Sequence, residues 1–280
     1  MRKLDTSILK KVIKEEISKI AFSYPKSIYD AIKDNLAKTD DKEANILKLF
    51  LDNEYIAKSE HIALCQDTGM VIVDLEIGNE VFFVGDFIEE VINEAISEAY
   101  VENYLRYSVV DDPLFERNNT NNNTPAVIHY SYKPGDKVKV RIGIKGFGSE
   151  NCSRIKMLKP SEGLDGVKEF ILETVKLAGP NPCPPIVVGV GIGGTFDYAS
   201  YLAKKSLFRE INVRNSNSNY CKLEENLIEE INKLNIGAAG LHGKLTCLGV
   251  NIEYYPTHIA GLPVAVNISC HATRHSEVIL

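Results

Sequence analysis

Three of the six cysteines lie in polar, turn-forming surroundings, where a thiolate could point into a cleft. Cys65 opens CQDTG, Cys183 lies in NPCPP before an apolar stretch, and Cys270 lies in NISCHATRH. A thiolate is a strong metal ligand, but an ordinary cysteine is a small buried apolar side chain. Ligands this far apart leave no local spacing pattern, and no C-x-x-C pair occurs. The residues alone therefore leave a metal centre and buried structural cysteines both open.

The other three cysteines are weaker candidates. Cys152 follows an asparagine in a polar turn, Cys221 lies at the start of a charged helix, and Cys247 lies within TCLGV. Disulfides are not expected in a chain of this length that shows no export signal. The N-terminal stretch interleaves charged and apolar residues and lacks the apolar core of a signal peptide. A cytoplasmic location is the resulting prediction.

Composition narrows the classes of function. The chain has 280 residues, of which 44% are hydrophobic and 25% charged, with a formal net charge of −6. No apolar run approaches the roughly 18 residues that a membrane helix needs. No basic stripe marks a nucleic-acid surface, so neither a membrane nor a nucleic acid is expected as a partner. A small anionic substrate would need local cations instead.

Hydrophobic periodicity predicts the elements that must position these cysteines. The fold class is α/β: a single mixed α/β domain over residues 1–280, with a helical N-terminal layer over about residues 1–60. The pattern predicts three N-terminal helices, a strand at Val71–Ile77 and a helix over residues 87–101. It also predicts a hairpin of Val127–Tyr132 with Val138–Ile144, a helix at Gly163–Leu177, a buried strand at Ile186–Val190, and helices from Tyr198 and at Leu223–Leu234.

A glycine run offers an alternative function. Gly189, Gly191 and Gly194 satisfy G-x-G-x-x-G between a predicted strand and a predicted helix, as a dinucleotide-binding turn requires. About twenty residues further on, Glu210 is followed by only three strand-like residues, so the acidic end of a second strand is missing. A tight strand-to-helix connection is the favoured interpretation.

Five segments together resemble one enzyme family. LCQDTG, LRYS, KGFGSEN, NPCPPIVVGVGIGG and HIAGLPVAVNISC, in this order, are similar to the N-terminal region of class I fumarate hydratases and to the α subunit of L(+)-tartrate dehydratases. The resemblance extends from about residue 60 to 275. It implies that Cys65, Cys183 and Cys270 hold a [4Fe–4S] cluster. With three thiolates rather than four, one iron keeps an open position for Lewis-acid chemistry.

The resemblance also implies roles for polar residues beside the first cysteine. Gln66 and Asp67 follow Cys65 directly, so one turn would place an amide and a carboxylate beside the open iron. Asp67 is the candidate general acid or base, and His258 is a catalytic candidate that could tune its ionisation. Without the resemblance, Asp67 would be a turn former and His258 an ordinary polar residue.

Substrate binding is assigned to three further positions. Arg106 in LRYS would hold a substrate carboxylate through its fixed fork of donors. Gly146 and Gly148 could bring main-chain N–H groups close to a carboxylate, an approach that larger residues would obstruct.

The resemblance to an α subunit implies a partner. The chain ends where the N-terminal region of the larger enzymes ends, so a β subunit is expected to complete the active site, in a hetero-oligomer such as a dimer of αβ pairs. The predicted reaction is the hydration of fumarate to L-malate, a step of the tricarboxylic acid cycle. Tartrate dehydration is the alternative. An electron-transfer iron–sulfur protein, with Cys152 as a fourth ligand, is a further one.

Overall fold

Helices and strands are mixed along the whole chain. The structure, a computed structural model, describes residues 1–280. Its elements in chain order are β1 (Arg2–Asp5), α1 (Thr6–Ile20), α2 (Lys26–Asn35), α3 (Asp41–Glu60), β2 (Met70–Gly78), β3 (Val81–Val84), α4 (Ile88–Glu102), β4 (Val127–Lys133), β5 (Val138–Lys145), α5 (Phe147–Glu150), β6 (Arg154–Leu158), α6 (Gly163–Ala178), β7 (Ile186–Gly194), α7 (Phe196–Ser206), α8 (Ser218–Asn232), β8 (Cys247–Thr257), β9 (Leu262–Ser269) and β10 (Arg274–Ile279). The predicted α/β class is confirmed. No helix combines the length and apolar character that crossing a membrane would require.

The chain divides into two compact units. The first contains Met1–Pro25, Asn53–Phe147 and Arg274–Leu280, and the second contains Lys26–Asp52 and Gly148–Thr273. The three N-terminal helices exist, but they are shared: α1 belongs to the first unit, α2 to the second, and α3 contributes to both. The single domain over residues 1–280 stays a prediction.

The first unit is built on a four-stranded sheet in the order β10-β5-β2-β4. Alternate residues of β2, from Val71 to Ile77, are buried with apolar residues of α1 and α4. Helix α1 is capped at its N-terminus by Asp5, whose carboxylate accepts a hydrogen bond from the N–H of Ser7 at 2.8 Å. The remaining strands of this unit, β1 and β3, form a short parallel pair.

The predicted hairpin is wrong, although both of its strands exist. β4 pairs parallel with β2, and β5 pairs antiparallel with the other edge of β2. β2 therefore lies between the two segments that the sequence joins by a tight turn. Periodicity identifies a strand but not its neighbour, and the apolar β2 is better buried in the centre of the sheet.

The second unit has a sheet in the order β6-β9-β7-β8 with helices on both faces. Apolar residues of β7, β8 and β9 form one core with α6 and α8. On the other face, α7 lies so close to β7 that a Cβ at Gly191 would be 2.0 Å from the Ala199 carbonyl oxygen, and one at Gly189 would be 2.3 Å from that of Ala203. These glycines permit close helix–sheet contact. The contact supports the interpretation of the glycine pattern as a tight strand-to-helix connection rather than a dinucleotide-binding turn.

Candidate functional site

The loop between α3 and β2 holds three of the predicted site residues in the first unit. Cys65 and Asp67 are half-buried, and Gln66 is exposed. The Asp67 carboxylate accepts two main-chain hydrogen bonds, from the N–H of Gly69 at 3.0 Å and from the N–H of Phe147 at 2.7 Å. Both carboxylate oxygens are therefore oriented by rigid main-chain donors, and the group is held in one position.

Two glycines allow the loop that contains Asp67 to lie close to the end of β5. A Cβ at Gly146 would lie 3.0 Å from Oδ2 of Asp67. Gly69 has a φ of +64°, and a Cβ there would lie 2.7 Å from the carbonyl oxygen of Lys145. Side chains at either position would push the loop away from the end of β5. Substrate binding at Gly146 stays a prediction.

Tyr100 and Arg106 fasten the same loop at Thr68. The hydroxyl of Tyr100, fully buried in α4, donates to the Thr68 carbonyl oxygen at 2.5 Å. The hydroxyl of Thr68 donates in turn to the Arg106 carbonyl oxygen at 2.6 Å. Arg106 thus adjoins the loop through its main chain while its side chain is exposed. Burial raises the pKa of Tyr100 above its usual value, so its hydroxyl stays a donor.

Asn123 and Arg274 hold the loop from two further directions. The side-chain amide of Asn123 donates to the Gly69 carbonyl oxygen at 3.1 Å, and Nη2 of Arg274 donates to that of Asp67 at 2.7 Å. Sequence reasoning missed Tyr100, Asn123 and Arg274. Tyr100 reads as an apolar core position of a helix and Asn123 as one of several loop asparagines. Of the three, Arg274 had the clearest signal in the sequence, since it lies four residues after the predicted ligand Cys270.

In the second unit the structure brings together the surroundings of two predicted ligands. Cys183 is exposed, with a φ of +53°, and Cys270 is half-buried directly after β9. His271, next to Cys270, contacts the Cys183 carbonyl oxygen through its main-chain N–H at 3.4 Å and through Nδ1 at 2.9 Å. The ring of Phe50 stacks on that of His271, with centroids 3.9 Å apart.

Two other predicted residues of the second unit lie in more open positions. His258 is exposed in the turn between β8 and β9, where its Nδ1 accepts from the N–H of Ala260 at 3.2 Å. Gly148 is exposed in α5, and a Cβ there would meet only the Asn181 carbonyl oxygen, at 3.7 Å. The roles assigned to His258 and Gly148 stay predictions.

The cysteines differ in how readily they could supply a thiolate. None forms a disulfide. Cys247 is buried, and burial raises the pKa of its thiol to about 12, so it stays protonated near neutral pH. Cys65, Cys183 and Cys270 all have exposed surface. No group of three or more His, Cys, Asp and Glu side chains in the structure is arranged to hold a metal ion. The three-thiolate ligand set therefore stays a prediction.

The chain matches known proteins over nearly its full length. Residues 10–279 match the sequence model described as fumarate hydratase (Fumerase). A Methanocaldococcus jannaschii protein provisionally named L(+)-tartrate dehydratase subunit alpha is 41% identical over 272 residues, 95% of each chain. The L(+)-tartrate dehydratase subunit alpha of Escherichia coli O157:H7 is 30% identical over 260 residues, covering 90% of this chain and 85% of that protein. Because the family model matches residues 10–279, the chain belongs to the fumarate hydratase (Fumerase) family, a family of hydro-lyases.

Proposed function

We propose that the chain is the α subunit of a two-subunit hydro-lyase that interconverts fumarate and L-malate. The family match over residues 10–279 carries this proposal, because it supplies the reaction type. The β subunit is inferred from the relatives, which are named as alpha subunits. The LRYS and GSEN segments favour fumarate, since they resemble the fumarate hydratases more than the tartrate dehydratases.

A [4Fe–4S] cluster fits the chemistry of the available donors. Cys65, Cys183 and Cys270 are partly or fully exposed and form no disulfide, and the chain at Cys270 contacts Cys183 through His271. These three residues would hold the cluster. When bound, the cluster would supply a Lewis-acidic iron for substrate oxygen.

The remaining steps belong to side chains of this chain. Asp67 would move a proton between its carboxylate and the substrate, and the N–H groups of Gly69 and Phe147 keep that carboxylate in one orientation. The exposed guanidinium of Arg106 would bind a substrate carboxylate, and Gln66, exposed in the same loop, would contact the substrate. His258, exposed in the turn between β8 and β9, would act as a further catalytic residue.

Dehydration of L-tartrate is the second candidate. The similar proteins from M. jannaschii and E. coli are named for this reaction, and the first is 41% identical to this chain. Malate and tartrate differ by one hydroxyl. A site that discriminates between them needs a polar group for that hydroxyl, and part of that position would lie on the β subunit.

One comparison tests the proposal. The chain is produced anaerobically with its β subunit, and kcat/KM is measured for fumarate, L-malate and L-tartrate on the same preparation and on the isolated chain. We expect the complex to favour fumarate and L-malate, and the isolated chain to be nearly inactive because it lacks half of the substrate contacts. A preference for tartrate would assign the second reaction. Full activity of the isolated chain would contradict the subunit proposal.

A further inference from the structure

Arg274 is a buried arginine beside the proposed active-site loop. Arg274 is only 2% exposed, and it is the first residue of β10, the edge strand that pairs antiparallel with β5. Its Nη2 donates to the main-chain oxygen of Asp67 at 2.7 Å. A guanidinium is costly to bury, so one that reaches the main chain of a polar loop calls for a specific reason.

The guanidinium of Arg274 forms no ion pair. No carboxylate lies within ion-pair distance of it, and its Nε–H is buried without a hydrogen-bond partner. Arg141 of β5, in the same sheet, differs because it pairs with Asp74 at 2.6 Å and with Glu277 at 2.9 Å. The position of Arg274 is therefore explained by the loop that it contacts rather than by charge pairing within the sheet.

The contact lies where Asp67 is oriented. A Cβ at Gly146 would lie 3.0 Å from Oδ2 of Asp67 and 3.7 Å from Nη2 of Arg274, so the carboxylate and the guanidinium border the same small space. Arg274 holds the Asp67 main chain while the N–H of Phe147 holds its carboxylate. Because the guanidinium is planar and pre-organised, it loses little conformational freedom when it forms such a contact.

We propose that Arg274 is a positioning residue, which fixes the main chain of the Cys65–Gly69 loop so that Asp67 keeps its orientation for proton transfer. The part that concerns proton transfer rests on the proposed function, whereas the fastening of the loop does not. Arg274 acts through Asp67 and need not contact the substrate. Its loss should thus lower kcat more than it changes KM.

The test compares Arg274→Met, Arg274→Lys and wild type by amide hydrogen exchange of the full chain, read on the peptide that contains residues 65–69. We expect Arg274→Met to accelerate exchange in this peptide at least tenfold. Arg274→Lys, which keeps a donor and the charge, should recover most of the protection. In the complex with the β subunit, Arg274→Met should lower kcat at least tenfold and change KM less than threefold, with iron content unchanged.

A matched control separates positioning from general loosening. Arg141→Met removes a guanidinium from the same sheet and should lower Tm, because it removes the ion pair of Arg141 with the buried Asp74. If that variant does not fold, Arg141→Lys replaces it. Neither should accelerate exchange in the 65–69 peptide.

The outcomes that overturn the proposal are distinct. Unchanged exchange of the 65–69 peptide in Arg274→Met would show that the loop is not fastened by this residue, as would equal acceleration in the Arg141 control. Faster exchange with an unchanged kcat would remove the catalytic role. If the wild-type complex hydrates no dicarboxylate, the proposed function fails, while the exchange data still decide whether Arg274 fastens the loop.

Discussion

At the scale of single residues, Asp67 shows how a local motif and a distant contact combine. The sequence places it beside Cys65 and makes it a turn former, and its hydrogen bond from the N–H of Gly69 is of that local kind. The bond from the N–H of Phe147 joins residues 80 positions apart in sequence. This second bond orients the carboxylate toward the chain that follows β5, and no pattern in the loop predicts it.

Replacing Asp67 by Asn should impair turnover without removing the cofactor. An amide has one acceptor oxygen in place of two, so one of the two main-chain N–H groups would lose its partner, and the proton-transfer group would be gone. General acid–base catalysis contributes about 10²–10⁴-fold, so we expect kcat to fall by about 100-fold or more with iron content unchanged. Steady-state kinetics and iron analysis on the complex measure both.

Asp112→Asn is the matched control for this variant. Asp112 is an exposed loop carboxylate of the same unit that also accepts main-chain hydrogen bonds, from Leu114 at 2.8 Å and Phe115 at 3.2 Å. Its replacement should leave kcat unchanged. A kcat for Asp67→Asn within threefold of wild type would show that Asp67 transfers no proton in the rate-limiting step.

At the scale of elements, the packing of β7 against α7 explains a glycine motif whose role the sequence pattern leaves open. The G-x-G-x-x-G pattern has the strand and helix that a dinucleotide-binding turn needs. Its first two glycines lie inside β7, and the backbone of α7 occupies the space where their Cβ atoms would be. The motif is therefore accounted for by packing, since a strand and a helix can approach this closely only where Cβ atoms are absent.

Replacing Gly191 by Ala should destabilise the second unit. The added Cβ would lie 2.0 Å from the Ala199 carbonyl oxygen, so α7 or β7 must shift. Overpacking of this kind costs about 1–3 kcal/mol in the free energy of unfolding, measured by urea denaturation. Gly261→Ala is the control, because the nearest atom to its Cβ would be 3.9 Å away. Equal stability of the Gly191 variant and wild type would contradict the packing explanation.

At the scale of the whole molecule, the proposed cluster ligands, Cys65, Cys183 and Cys270, lie far apart in sequence. Residues so distant in sequence cannot be grouped by spacing, so the ligand set rests on the family resemblance. The structure adds a difference between candidates, because Cys247 is buried with a pKa of about 12 whereas the three proposed ligands have exposed surface.

Serine replacements test the ligand set directly. Cys65→Ser, Cys183→Ser and Cys270→Ser should each abolish the brown absorbance of the anaerobically prepared complex and its activity, because a serine hydroxyl does not replace a thiolate ligand. Cys221→Ser and Cys247→Ser are the controls and should keep the iron content. A full cluster in Cys183→Ser would show that the proposed set is wrong.

The sequence by itself determined the α/β class, most helices and the central strands, since these depend on local periodicity and on caps such as Asp5. It also identified the polar loop at Cys65 and the family. The tertiary structure decided which strands pair, how the chain divides into two units, and that Tyr100, Asn123 and Arg274 fasten the loop. The physical reason is that these features depend on contacts between residues far apart in sequence, and such contacts leave no periodic trace in the residues that form them.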